Sequence, residues 1–275
     1  MLPSAPSIHR SPIEVAKDTF IIQSTVGEGQ APVAVNINSM VIRGAEPIVI
    51  DTGGRDNRTN WLNDLFSIVA PEDIRWITIS HDDIDHTGNL DALLEMAPNA
   101  TFVSSWFLAE RMSVELVHPP HRMRWMVDGD TFDIGDRTLS LVRPPVYDSP
   151  TTRGFFDPTT GVYWASDSFA TPMPTYVDNV RDLDPGFWGE GFTMFQQAVS
   201  PWLFTADEAK FQATIDRVAA LSPTTIVGCH TPTIEADRVG RAFELMRNML
   251  NMPEIPLPGQ ETLDQIIAAT AAVAA

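Results

Sequence analysis

Apolar and polar residues alternate over residues 18–26 and again over 33–43, which predicts two strands joined through Gly27-Glu28-Gly29. A third, shorter strand is expected over 47–50, after the turn Gly44-Ala45-Glu46. The period then changes. Trp61, Leu62, Leu65, Phe66 and Val69 recur at helical spacing within 57–69, and Pro71 closes that helix. The apolar run Trp76-Ile77-Thr78-Ile79 reads as a buried strand, followed by a polar loop and a helix to about residue 96. A strand at 100–104 and a helix near 106–112 complete the first half. Residues 113–123 read as irregular.

The second half repeats the order, strands first and helices after. Asp128-Gly129-Asp130 reads as a hairpin-type turn. A strand is expected at 138–142, and two more at 154–156 and 162–165 around a turn at 157–161. Residues 170–185 form a proline-rich loop, and 187–199 an aromatic-rich helix. Thr205 and Glu208 match a capping box that would start a helix reaching residue 221. Residues 224–228 form a short β-branched strand, 238–250 a helix, and a last helix runs from 261 into an alanine-rich tail. The expected division is an irregular N-terminal arm at 1–17, one α/β domain at 18–252 and a helical tail at 253–275. The tail either packs on a partner subunit, in a homo-oligomer, or frays.

Composition narrows the classes. Hydrophobic residues at 44% and charged residues at 20% describe a globular chain with a full core. A formal charge of −18 repels phosphate backbones, so a nucleic-acid partner is not expected. Cys229 is the single cysteine, which rules out an intramolecular disulfide and any thiolate-rich metal cluster. No apolar stretch of membrane-spanning length and no signal-peptide pattern is visible, so the expectation is a cytoplasmic protein without a membrane.

The chemistry concentrates in Ser80–Asn89, the loop at the carboxyl end of the Trp76 strand, where α/β folds usually build their sites. It carries His81, Asp82, Asp83, Asp85 and His86. Other acidic or imidazole side chains stand at strand ends: Asp51, Asp148, Asp167 and His230. Three of the six histidines fall in this group.

His81-x-Asp83-x-Asp85-His86 resembles the His-x-His-x-Asp-His signature of the metallo-β-lactamase superfamily. Asp51-Thr52-Gly53 resembles its Asp-Thr-Gly. Ser166-Asp167 is similar to its bridging aspartate, and His230 after 225–228 to its final histidine. The elements fall in the right order over about residues 18–235, and such agreement across levels is far more specific than one motif. The resemblance implies a four-layer αβ/βα sandwich. Two departures stand out. Asp83 sits where zinc hydrolases of the superfamily have histidine and where the flavodiiron branch has a carboxylate. Counting back nineteen residues from Asp167, the spacing of that branch, lands on Asp148, in place of a histidine. Diiron β-hydroxylases of the superfamily also carry a carboxylate there. The chain therefore resembles the diiron branch more than the zinc branch.

That resemblance implies seven candidate metal residues, His81, Asp83, Asp85, His86, Asp148, Asp167 and His230, with Tyr147 as an alternative to Asp148. His81, Asp83 and Asp148 would hold one ion, Asp85, His230 and His86 the other, and Asp167 would bridge. His86 is the least secure, because its counterpart in flavodiiron proteins often leaves the metal. Asp51 is expected to orient the loop, and Asp82 to face solvent. No role is assigned to His118 or His121, and Cys229 reads as a small buried residue.

Four carboxylates with three imidazoles suit iron or manganese better than zinc. The first reading is a dinuclear iron oxidoreductase acting on O2, with or without a small-molecule substrate. Without a flavin domain in this chain, it would need a separate electron-donor protein. A dinuclear zinc hydrolase of lactones, esters or phosphoesters uses the same residues. A non-enzymatic O2-binding sensor is the third reading.

Overall fold

The computed structural model describes residues 6–273 except 30 and 117, with side chains described as far as residue 268. The end of the alanine-rich tail thus lies outside the described side chains.

Two sheets form the centre. The first has seven strands in chain order: β1 (Ile8–Ala16), β2 (Thr19–Val26), β3 (Val35–Ile42), β4 (Ile48–Ile50), β5 (Trp76–Thr78), β6 (Thr101–Ser104) and β7 (Met123–Trp125). β1 to β4 pair antiparallel and β4 to β7 parallel. The second sheet contains β8 (Thr131–Asp133), β9 (Thr138–Leu141), β10 (Phe155–Asp157), β11 (Val162–Trp164), β12 (Thr225–Gly228) and β13 (Thr231–Glu235), in the order β13-β12-β11-β10-β9-β8. Only β11 and β12 pair parallel within it, across the long helical connection.

Alternation along the strands assigns the layers. Ile21, Met40, Ile42, Ile48 and Ile50 of the first sheet meet Phe155, Val162, Trp164 and Val227 of the second in one core between the sheets. Their neighbours Ile22, Val41 and Val49 point the other way. They pack on α1 (Arg58–Ile68), α3 (Leu90–Met96) and α4 (Trp106–Arg111). Phe156, Tyr163 and Ile226 likewise face α5 (Pro185–Val199), α6 (Glu208–Ala219) and α7 (Ala236–Arg247). A two-residue period on both sheets, with an apolar helix stripe on each outer face, gives the four layers αβ/βα. The one-turn α2 (Ile84–Thr87) lies inside the acidic loop, and α8 (Gln260–Val273) ends the described chain.

Several local expectations are corrected. Residues 8–16 are not irregular but form the edge strand β1. Pro12 falls at a register shift between Arg10 and Ile13, where a missing N–H interrupts no ladder bond. β13 escaped the sequence pattern for the same reason: Pro232 sits in the opposite edge strand. The turn at 128–130 is not a hairpin, because β7 and β8 belong to different sheets and the chain crosses between them there. Thr205 does not cap α6. Its hydroxyl donates to Trp202 O at 2.7 Å, and the Asp207 carboxylate accepts from Lys210 N at 3.0 Å instead.

Candidate metal centre

The acidic loop leaves β5 at the carboxyl end of the parallel strands, and a second loop locks it in place. Asp51, at the end of β4, adopts a left-handed backbone (φ 62°), as does Gly53 (φ 65°). This turn brings Thr52 onto His86, whose carbonyl accepts from Thr52 N at 2.7 Å and Thr52 Oγ1 at 2.8 Å. Asn89 Nδ2 donates to Thr52 O at 2.6 Å and to Gly54 O at 3.2 Å. At Gly88 the two loops touch so closely that a Cβ would stand 2.5 Å from Arg55 N and from Gly53 O. The glycine is required by that approach.

Asp51 is fully buried and accepts four hydrogen bonds. Oδ1 takes Ser80 N at 2.5 Å, and Oδ2 takes Ser80 Oγ at 2.7 Å, His86 Nδ1 at 2.9 Å and Trp164 Nε1 at 3.1 Å. The other two imidazoles are held in the same manner through Nδ1. His81 Nδ1 lies 3.1 Å from Ser166 Oγ, and His230 Nδ1 donates to Asn36 O at 2.8 Å. Fixing Nδ1 leaves the Nε2 of each ring to face the centre, the arrangement of ligating histidines. Ser80, Ser166, Trp164 and the Asn36 carbonyl were not singled out from the sequence. Their positions follow from the packing of β3, β4, β5 and β11, which no motif spacing reports.

All seven candidate residues come together. His81 Nε2 stands 3.7 Å from Asp83, 3.5 Å from Asp148 and 3.7 Å from Asp167. His86 Nε2 lies 3.0 Å from Asp167 Oδ1 and 4.0 Å from Asp85. His230 Nε2 lies 3.2 Å from Asp85 and 3.4 Å from Asp167. Asp167 thus touches all three imidazoles. The set divides into an open group, His81, Asp83 and Asp148, and an enclosed group, Asp85, His86 and His230. Cys229 is buried in the inter-sheet core, and its sulfur lies within 4.8 Å of the potential ligand atoms of the enclosed group.

The electrostatics are those of a cluster short of positive charge. Burial and the neighbouring His86 would lower the His81 imidazole, but Asp167, Asp148 and Asp83 more than offset both and raise it to about 10. Burial likewise opposes charge on His86 and His230, yet Cys229 and Asp167 hold both well above the usual imidazole range. Burial would raise Asp85 and Asp167, but the surrounding imidazoles keep both below the usual carboxylate range. Protons here occupy the place cations would take. His81 Nε2, His86 Nε2 and Asp167 Oδ1 are buried and make no hydrogen bond, although the last two approach to 3.0 Å. Unpartnered buried polar atoms are costly, and a coordinated cation between them would satisfy all three. By this test the residues fit bound metal.

Other candidates fall away from the centre. Tyr147 packs its ring on Trp202 at 4.9 Å, so its neighbour Asp148 is the residue facing His81. His118 meets Phe102 on the helix side of the first sheet. Trp188 and Phe192 are core, whereas Phe195 places its ring 5.6 Å from His230. Asp82 does not face solvent. Its carboxylate accepts from Arg111, Thr151 and Ser149.

Residues 35–230 match the model of the ODP family beta lactamase. The chain belongs to the ODP beta-lactamase family. It is therefore a member of the metallo-β-lactamase superfamily, and its relatives within it are flavodiiron proteins. A Nostoc sp. protein named diflavin flavoprotein A 2 is 33% identical over 154 residues, which is 56% of this chain and 26% of that protein. The anaerobic nitric oxide reductase flavorubredoxin of Salmonella paratyphi A is 23% identical over 234 residues, 78% of this chain and 48% of that one. This ODP-family chain spans about a quarter to a third of the length of the diflavin flavoproteins it matches. Among solved structures, rubredoxin oxygen:oxidoreductase of Desulfovibrio gigas superposes with a TM-score of 0.77 at 16% identity, over 88% of this chain and 62% of that one. The flavodiiron protein of Giardia intestinalis gives 0.72 at 18% identity, over 88% and 60%. These likenesses show that the ODP-family chain has the fold of flavodiiron cores.

No helix among the described residues is long and apolar enough to cross a membrane.

Proposed function

We propose that this chain holds a dinuclear iron centre and is an oxygen-reactive oxidoreductase. His81, Asp83 and Asp148 would hold one ion, the outer one, and Asp85, His86 and His230 the other, with Asp167 lying against the imidazoles of both groups. The observation that carries this is the convergence of three Nε2 atoms on one buried carboxylate, with His81 Nε2, His86 Nε2 and Asp167 Oδ1 lacking hydrogen bonds. Four carboxylates among seven donors favour iron over zinc. The names of two similar proteins, an oxygen oxidoreductase and a nitric oxide reductase, support a diatomic substrate.

A dinuclear iron centre supplies two-electron chemistry on O2 when bound. The protein's own residues define where that takes place. Asp51, Ser166 and the Asn36 carbonyl fix the three imidazoles, so their donor atoms need no rearrangement. Asp83, with a side chain 57% exposed, and Asp148, at 21%, line the open side. Substrate would approach there, because His86 and Asp167 are closed to solvent. Phe195 packs its ring 5.6 Å from that of His230.

The test is metal analysis and an optical spectrum of protein produced with iron, followed by O2 consumption with a chemical reductant. Two irons per chain and reductant-dependent O2 uptake are expected. Two zincs per chain with turnover of a lactone or ester would refute the reading. Two irons with reversible O2 binding and no consumption would refute the enzymatic part of it.

A further inference from the structure

Asp82 lies between two residues of the open group, His81 and Asp83, and its own side chain turns to a different part of the chain. Oδ1 accepts from Thr151 Oγ1 at 2.8 Å and from Ser149 Oγ at 3.2 Å. Those hydroxyls are 2.8 Å from each other, and Thr151 N donates to Ser149 Oγ at 3.3 Å. Both belong to the loop between β9 and β10 that carries Asp148. Oδ2 accepts from Arg111 Nε at 2.6 Å, which anchors the carboxylate to the end of α4. Ser149, Thr151 and Thr152 are buried, although their loop has no regular secondary structure. The loop is held by these side-chain bonds together with one main-chain bond, from Arg153 N to Ser80 O at 3.0 Å, rather than by a ladder. Arg143 braces it from the other side, through Thr152 O at 3.2 Å and Pro150 O at 3.0 Å. Among the described residues the Asp148 carboxylate accepts one long hydrogen bond, from Thr152 Oγ1 at 3.4 Å, and lies 3.5 Å from His81 Nε2.

We infer that Asp82 is a positioning residue for the outer ion: by tying the Asp148 loop to the His81–Asp83 segment, it sets the spacing of all three outer donors. This rests on the reading of Asp148 as an outer ligand. None of the bonds that fix the enclosed group involves Asp82. His86 depends on Asp51 and His230 on the Asn36 carbonyl. The effect of losing Asp82 is therefore confined to one of the two ions. Groups that orient metal ligands typically change affinity about 10–100-fold when removed.

The experiment titrates metal-free full-length protein with Co(II), followed by calorimetry and visible absorption, and uses thermal melting to establish that each variant folds. The class of site lost in Asp148→Ala identifies the outer ion. Asp82→Ala is expected to weaken that class at least about tenfold and leave the other within about twofold. Asp82→Asn keeps an oxygen for Thr151 and Ser149 and should recover most of the loss, a rescue that a role in bulk stability would not give. If Asp82→Ala does not fold, the double variant Ser149→Ala/Thr151→Val removes the same bonds and carries the same expectation. Loss of the outer class in Asp148→Ala with unchanged binding in Asp82→Ala overturns the positioning role. Equal weakening of both classes in Asp82→Ala also overturns it. Unchanged binding in Asp148→Ala overturns the ligand assignment beneath it.

Discussion

Asp51→Asn separates the orientation of His86 from its presence. Asparagine tolerates the left-handed backbone that Asp51 adopts at φ 62°, so the turn itself is not strained by the change. The substitution acts through one atom. If the amide oxygen stays with Ser80 N, the amide nitrogen replaces Oδ2, which now accepts from Trp164 Nε1, His86 Nδ1 and Ser80 Oγ. Ser80 can rotate its hydroxyl and accept. Trp164 cannot, because an indole N–H only donates. That buried N–H is left facing another donor, at a cost of about 1–3 kcal/mol, and loss of the buried charge adjacent to His86 brings the total to about 3 kcal/mol. For a chain of this size the melting temperature of the metal-free protein should fall by roughly 5 °C. His86 has its own escape. Its Nδ1 can lose the proton and accept from the amide, which puts the proton on Nε2, facing Asp167. The enclosed site then meets an N–H in place of a lone pair. Nitrogen NMR of the metal-free protein should show the doubly protonated His86 ring give way to the neutral Nε2–H form, and Co(II) affinity of the enclosed site should fall about 10–100-fold. An unchanged melting temperature together with an unchanged protonation state of the ring would refute the claim that Oδ2 of Asp51 controls it.

Gly88→Ala places a methyl group 2.5 Å from two backbone atoms of the Gly53–Arg55 turn; a loss of about 2–3 kcal/mol and weakened binding at the enclosed site should appear in melting and Co(II) titration. Arg153→Met should stabilise the protein by about 1–2 kcal/mol in denaturant titration. Burial and nearby Arg143 lower that guanidinium to about 10, it has no salt-bridge partner among the described residues, and its Nη1 makes no hydrogen bond. The metal-free protein should also lose stability in alkali. The folded value of His81, about 10, lies above its ordinary 6.5, so the stabilisation is complete below about pH 6.5 and is lost as pH rises toward 10. Asp85 and Asp167 act in the opposite sense: their folded values lie below 3.8, so their stabilisation is present above that pH and is lost as pH falls below it. Melting temperatures of the metal-free protein should therefore be highest near pH 5–6 and lower at pH 9, and a rise between those points would contradict the sign.

Most strands and helices were legible because their cause is local, whereas the four layers came with the family resemblance. A two-residue period sends Ile48 and Ile50 to one face and Val49 to the other, and that alternation is written in neighbouring residues. The edge strands were not legible. Pro12 and Pro232 count against a strand in any local pattern, and it is their place in edge strands, with no further strand beyond β1 or β13 among the described residues, that makes them harmless. Thr205 failed for a related reason. Asp207 offers a competing cap two residues on, and the turn Pro201–Thr205 uses the threonine hydroxyl internally.

The same division between local and distant causes runs through the site. His81, Asp83, Asp85 and His86 share one loop, so their spacing could be read directly, and Asp148, Asp167 and His230 could be placed by strand ends. What held them could not. The partners of the three Nδ1 atoms come from three separate strand ends, at sequence separations from 35 to 194 residues, and two are a serine hydroxyl and a main-chain oxygen with no signature of their own. Asp82 shows the consequence most clearly. In sequence it is one more carboxylate in an acidic loop, and solvent is the natural place for it. In the fold its neighbours are Ser149 and Thr151, 67 and 69 residues away. Local spacing therefore reports which atoms can meet a metal, while the three-dimensional packing decides how tightly they are aimed. On this argument, homologous loops with the same four residues at 81, 83, 85 and 86 but without an acceptor at 82 should bind the outer ion more weakly, whatever their sequence identity elsewhere.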